Sequence, residues 1–351
     1  MPLVAHSSLP AFEDLRADGD DVLTLENALH QDIRELHIGF LNMMPDAALR
    51  ATERQFLRLV GSCNQIAQFF VYPFTVPGLV RDSETQAYID RYYYPFETLQ
   101  KNGLDALIIT GANVANPSLD QEPFWTPLQD VVAWAQKNVL SILCSCLSTH
   151  ALVKQLYKID RRLMPEKLWG VYPHRIAKKD HPLLRGINTR FDVPHSRYNS
   201  IPVADLEAAG VSVLIESDQG EMHMAVSADQ FSIVYFQGHP EYDWNSLLKE
   251  YKREVNRYVA GDRPDYPPHP EGYFSAEAAA LVDAYQRDVV SALNRKDVIP
   301  PFPEKQIEPH LDNTWGDTGK AIFNNWLGLV YRKANYNRPS LSKRPAQLPK
   351  G

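Results

Sequence analysis

The chain has 351 residues, 44% of them hydrophobic and 23% charged, with a formal net charge of −7 and a pI near 5.9. That length and composition allow a sizeable core in one or two domains, and the acidic balance leaves no overall electrostatic footprint for nucleic acid. Three cysteines, no membrane-length apolar run and no signal-like N-terminus place the protein in the reducing cytoplasm as an expectation.

In chain order, residues 1–34 read as a polar lead-in with two short helical pieces. A strand follows at 36–41 (LHIGFL), then the turn 42–46 (NMMPD), then a helix from about 47 to 61 whose apolar face is Leu49, Thr52, Phe56, Leu59 and Val60. The Met43–Met44 pair reads as packing, not as a soft-metal site. Further strands are predicted at 66–73 and 104–110, with a helix-like stretch at 85–94 between them. The latter strand ends in the turn Gly111-Ala112-Asn113, and a helix is predicted over 125–138. An apolar run at 139–143 then stops abruptly at Cys144-Ser145-Cys146, and a helix begins at once over 147–154. Near-continuous apolar strands alternating with helices predict an α/β fold with a mostly parallel sheet covered on both faces. Reactive groups in such sheets gather at the C-terminal strand ends.

The second half reads as added short strands at 211–217, 222–227 and 231–237, followed by the turn Gly238-His239-Pro240-Glu241-Tyr242-Asp243 and a helix over 246–260. Proline crowds 263–270 and 300–309, which therefore read as irregular connections. The expected organisation is a lead-in (1–34), one globular unit (35–331) and a basic, disordered tail (332–351).

A strand that passes straight into a helix lifts its turn residue out of the sheet beside free helix N–H groups, which is how an α/β fold presents a nucleophile. On that stretch alone, Cys144 and Cys146 read equally as nucleophile and as core thiol. Cys-x-Cys lacks the second ligand pair of a tetrahedral site, so no metal is expected. His239 stands out among eleven histidines because it follows a strand and precedes Pro240, with Glu241 two positions on. A His-x-Glu pair lets the carboxylate turn back and fix the imidazole tautomer, as the third member of a triad does.

Strand–Cys–helix followed by strand–GHPE resembles the class I glutamine amidotransferase fold, a flavodoxin-like sheet whose Cys, His and Glu come in this order. LNMMP (41–45), TERQFLRL (52–59), IITGA (108–112), PEKLWGVYPH (165–174), PHSRY (194–198), QGHPEYD (237–243) and NTW…NW (313–326) are similar to the MetA-type homoserine O-acyltransferases. The resemblance covers residues from about 33 to 331. It implies Cys146 as the nucleophile attacking an acyl-CoA, His239 as the base, Glu241 as its orienting carboxylate, and Cys144 as structural. Backbone N–H groups at Leu147 and at the Gly111–Ala112 turn are the implied oxyanion donors. It further implies Arg253 as the clamp on the homoserine carboxylate, with Lys167 and Ser196 at the other substrate positions.

In the family, glutamate three past the TGA turn goes with acetyl donors. Here that position is Ala115, which leaves room and removes a charge that would repel a succinyl carboxylate. Succinyl transfer from succinyl-CoA to L-homoserine in methionine biosynthesis is therefore expected, with succinyl-CoA as co-substrate, no separate cofactor and a homodimeric assembly. Rival readings are acetyl transfer, serine as acceptor, a glutaminase-type amidotransferase, and a catalytically silent binding protein. The chain departs from the commoner family pattern at Asp46-Ala47, where many members carry lysine, at Leu147-Ser148 in place of Trp and Gly, and at Asn113 in place of proline.

Overall fold

Apolar runs in the first half become parallel strands because both of their faces are covered. A computed structural model describes residues 3–31, 33–63 and 67–337 of the chain. Strands β1 (Arg34–Met43), β2 (Ala67–Phe74), β3 (Ala106–Ala112) and β4 (Ser141–Ser145) pair in parallel, and every residue of β2 and β4 is buried. Strands β5 (Arg162–Ile176), β6 (Arg190–Ser200), β7 (Ser212–Ser217), β8 (Met222–Val226) and β9 (Ile233–Phe236) complete a nine-stranded sheet among the described residues, in the order β2-β1-β3-β4-β9-β8-β7-β5-β6. β9 adds to β4 in parallel, and the strands beyond it run antiparallel. The result is the expected α/β class, with a parallel core sheet and an antiparallel extension.

That extension differs from the short runs predicted for the second half, because β5 and β6 form a long hairpin. Its prolines and charges are tolerated because β6 is the sheet edge and much of the hairpin is half-exposed. Of the predicted tail, Arg332 to Asn337 continue the last helix, α6 (Gly316–Asn337), and the remainder lies outside the described residues. Among the described residues no helix is long and apolar enough to cross a membrane.

Alternation along each strand sorts the core into layers. Phe40, Ile108 and Leu143 face one layer with Phe56 and Val60 of α1 (Asp46–Gly61), whereas Leu41, Ile109 and Cys144 face the other with Val131 of α2 (Trp125–Asn138) and Leu152 of α3 (Leu147–Tyr157). Each large apolar side chain so buried contributes about 1.5–3 kcal/mol. The N-terminal helix Pro10–Ala17 packs Phe12 and Leu15 into the first layer. A third cluster joins Trp169 and Val171 of β5 to Leu248 and Tyr251 of α4 (Ser246–Val259) and Val282 of α5 (Ala276–Arg295).

Glu53 of α1 is a buried acid inside this core, accepting a hydrogen bond from Tyr88 Oη at 2.8 Å. Burial raises its pKa from 4.5 to about 7. The folded state thus holds this proton more tightly than the unfolded chain does, so the carboxyl's contribution is present below pH 4.5 and is lost as pH rises through about 7. Glu53→Gln is expected to gain about 3 kcal/mol over the parent at pH 8 and almost nothing near pH 4.5. Denaturant melts at the two pH values check this, and equal stabilities at pH 8 would refute it.

Candidate active site

β4 ends at Ser145, and α3 starts at Leu147, so Cys146 alone makes the turn between them. It does so at φ 55°, ψ −111°, a strained conformation for a side-chain-bearing residue that costs on the order of 1–3 kcal/mol. The turn is braced on all sides. Cys146 N–H donates to Phe236 O at 2.8 Å, Ser148 Oγ donates to Ile109 O at 2.9 Å, and Thr149 Oγ1 donates to Phe236 O at 2.8 Å. Ser148, one of the departures from the family pattern, thereby ties the elbow to β3.

Cys144 lies one residue before the strand end, fully buried in the apolar layer, and burial pushes its thiol well above the ordinary range. Gly111 closes the other side of the elbow: a Cβ there would stand 3.7 Å from Cys146 Cβ and 3.8 Å from Leu147 N. The Gly111 turn therefore packs against the start of α3, while the N–H of Cys146 itself is already committed to Phe236. Among the described residues no group of His, Cys, Asp and Glu side chains is arranged to hold a metal.

The β9 end delivers the histidine. His239 N–H donates to Pro194 O at 2.9 Å, and the loop passes so close to β6 that a Cβ on Gly238 would come within 2.4 Å of Val193 Cγ1. His239 Nδ1 donates to Glu241 Oε1 at 2.8 Å, and Ser145 Oγ donates to the same oxygen at 3.2 Å. Nε2 is enclosed and meets no partner at full hydrogen-bond geometry. Burial lowers the imidazole pKa, but interaction with Cys146 and Glu241 outweighs it and holds the ring well above its ordinary 6.5. The Tyr242 ring stacks on the imidazole with centroids 4.2 Å apart.

Two of the substrate positions implied by the resemblance, Lys167 and Ser196, converge on a residue that sequence reasoning missed, Glu250 of α4. Its Oε2 accepts from Ser196 Oγ at 2.7 Å and Trp169 Nε1 at 3.0 Å and lies 3.7 Å from Lys167 Nζ, while Oε1 accepts from Tyr242 Oη at 2.6 Å. Burial works against its charge, yet Lys167, Tyr242 and Ser196 hold this carboxyl below its ordinary value. Lys167 also lies 4.4 Å from the Trp169 ring centroid. Its pKa is lowered by burial, with Glu250 opposing and the charge of Arg253 adding to the fall. Arg253 is exposed one turn along α4, so the helix carries both the hub carboxylate and the guanidinium. Ala115 sits in the loop after β3, where its N–H and that of Asn116 donate to Glu122 Oε1 at 2.8 and 2.6 Å.

Other motif residues support the site. Arg197 Nε donates to His195 Nδ1 at 3.3 Å, which assigns His195 Nε2 as the donor to His174 Nε2 and His174 Nδ1 as the donor to Tyr172 O. Burial lowers both imidazoles. These histidines of PHSRY and PEKLWGVYPH are thus neutral packing behind Gly238. Trp315 Nε1 donates to Tyr242 O at 2.8 Å, so NTW anchors the His239 loop. Arg58 of TERQFLRL reaches the same loop at Asp243 Oδ1, 2.5 Å away, and also binds Asp18 and Asp20 of the N-terminal segment at 2.6 and 3.1 Å.

With this geometry in place, the comparison with known proteins is decisive. The sequence profile of the homoserine O-succinyltransferase family matches residues 2–336. The chain belongs to the homoserine O-succinyltransferase family. A homoserine O-succinyltransferase of Methylococcus capsulatus is 56% identical over 338 residues, covering 96% of this chain and 95% of that protein. One from Nitrosococcus oceani is 56% identical over 345 residues, 98% of this chain and 95% of its own length. Among solved structures, a glutamine amido transferase from Methylobacillus flagellatus matches with a TM-score of 0.45 at 14% identity, over 85% of this chain and 95% of that one. That likeness is too distant to inform the site, and the family assignment rests on the sequence relatives.

Proposed function

We propose that the chain moves a succinyl group from succinyl-CoA to the hydroxyl of L-homoserine through a thioester on Cys146, giving O-succinyl-L-homoserine for methionine biosynthesis. The observation that carries this reading is the Cys146 turn set against a buried His239 whose other nitrogen is held by Glu241, in a chain of this family. Cys146 Sγ gives its proton to His239 and attacks the thioester carbonyl. The tetrahedral oxyanion collapses with loss of CoA, whose sulfur takes the proton from His239. The homoserine hydroxyl then attacks the Cys146 thioester while His239 accepts its proton and returns it to the departing Cys146 sulfur. N–H groups at Leu147 and Ala112 face the developing oxyanion. Arg253 and Lys167 supply cationic contacts and Ser196 a hydroxyl for the amino-acid end of the acceptor. Ala115 provides space for the longer acyl group, and no group beyond the CoA thioester is required.

Purified protein assayed with succinyl-CoA and acetyl-CoA, each against homoserine and serine, tests the reading. The expected result is a kcat/KM highest for the succinyl-CoA and homoserine pair. A preference for acetyl-CoA, or release of glutamate from glutamine without any CoA dependence, would overturn it.

A further inference from the structure

Arg161 is a cation left without an ion pair, on the short connection that follows α3. It lies between α3, whose first residue follows Cys146, and β5, and its side chain is half-buried. Among the described residues it forms no ion pair within 4 Å, and its hydrogen bond is a long one, Nη2 to Pro117 O at 3.5 Å. That contact sets the guanidinium against the loop that carries Ala115. The loop is held in place independently: Glu122 Oε1 takes the N–H groups of Ala115 and Asn116, and Lys154 Nζ donates to Ser118 Oγ at 2.8 Å. Arg161 is therefore not needed to shape the loop it touches. Burial lowers its pKa, while the charges of Glu122 and Cys146 act on it in the opposite sense. Glu122 already spends one oxygen on two backbone donors and does not close on the arginine.

Resting on the succinyl-transfer reading, we propose that Arg161 binds the free carboxylate at the far end of the acyl group, both in the acyl-CoA and in the Cys146 thioester. The acyl chain that leaves Cys146 is short and ends in an anion. The fork, without an ion-pair partner among the described residues and set against the loop that carries the small Ala115, matches that anion bidentately. The assignment also explains why a small residue at 115 matters: a carboxylate side chain in that loop would compete for the same guanidinium.

The test compares succinyl-CoA with butyryl-CoA, which has the same carbon count and no charge, using the full-length enzyme and homoserine. In the parent the kcat/KM ratio favours succinyl-CoA, and Arg161→Gln is expected to lower that ratio by about 10–100-fold. Arg161→Lys keeps the charge without the fork and retains an intermediate ratio. A ratio unchanged in Arg161→Gln, with both donors slowed equally, overturns the assignment and makes Arg161 a support of the elbow only. A parent enzyme that uses butyryl-CoA as well as succinyl-CoA overturns the succinyl reading itself, and the assignment with it.

Discussion

Cys146→Ala incubated with succinyl-CoA is expected to take up no acyl group, whereas Cys144→Ala takes up one succinyl mass. The two thiols sit one residue apart in sequence but in opposite environments. Cys144 faces the apolar layer inside the sheet, where forming a thiolate is opposed by burial with no cation to compensate. Cys146 projects from the strand end at the start of α3, opposite an imidazole whose affinity for protons is raised by the sulfur and by Glu241. Turnover in Cys146→Ala should fall by about 10⁴-fold or more, the scale seen when a nucleophile that acts as a unit with its base is removed. Intact-mass spectrometry reads the adduct directly. A succinyl mass persisting in Cys146→Ala would assign the chemistry to another group.

Glu250→Ala is expected to lose about 3–5 kcal/mol of stability, the usual consequence of removing one member of a buried, hydrogen-bonded charge network. Lys167 would lose its carboxylate and Ser196, Trp169 and Tyr242 would lose their acceptor at once. Because the folded-state pKa of Glu250 lies below 4.5, this contribution is present at neutral pH and fades only as pH falls through that lower value. Glu250→Gln preserves the shape and some of the hydrogen bonds, so it should recover much of the stability. It should still raise KM for homoserine more than it lowers kcat, since Lys167 and Ser196 lose their alignment directly while His239 is reached through the Tyr242 ring and not by a hydrogen bond. Chemical denaturation and steady-state kinetics on the two variants check both halves. Parental stability in Glu250→Ala would show that the hub is dispensable.

The contrast between Cys146 and Glu250 explains what could be read without coordinates. The parallel half of the sheet is written plainly because strands buried on both faces are unbroken apolar runs, as at 104–110 and 139–143. The strand-to-helix turn at Cys144-Ser145-Cys146 and the His-x-Glu pair are legible for the same reason, since each directly follows such a run, although the run alone does not choose between the two cysteines. The β5–β6 hairpin is not legible: β5 admits Pro165, Glu166 and Lys167 in succession where its register with the edge strand β6 is interrupted between Leu163 and Leu168, and the run looks like a loop. Helix α5 follows a proline-rich stretch and packs in the third cluster, with β5 and α4 and not on the parallel strands, so strand–helix alternation does not predict it. Glu250 is hidden in KEYKRE, where charged neighbours give every position the appearance of a solvated face. Only the packing of α4 on β5 turns that carboxylate inward. Arg161 is hidden similarly in a connection with no periodicity, and its contact with the loop that carries Ala115 is created by the return of the chain after α3.

The three carboxylates gathered by Arg58 bear on how the protein can be handled. Asp18 and Asp20 belong to a segment with no chemistry of its own, yet they share one guanidinium with Asp243, two residues beyond Glu241. An affinity tag or a trimmed start that displaces residues 10–20 would free Arg58 to pull on Asp243 alone. A preparation shortened there would then report poor turnover from a perfectly intact Cys146.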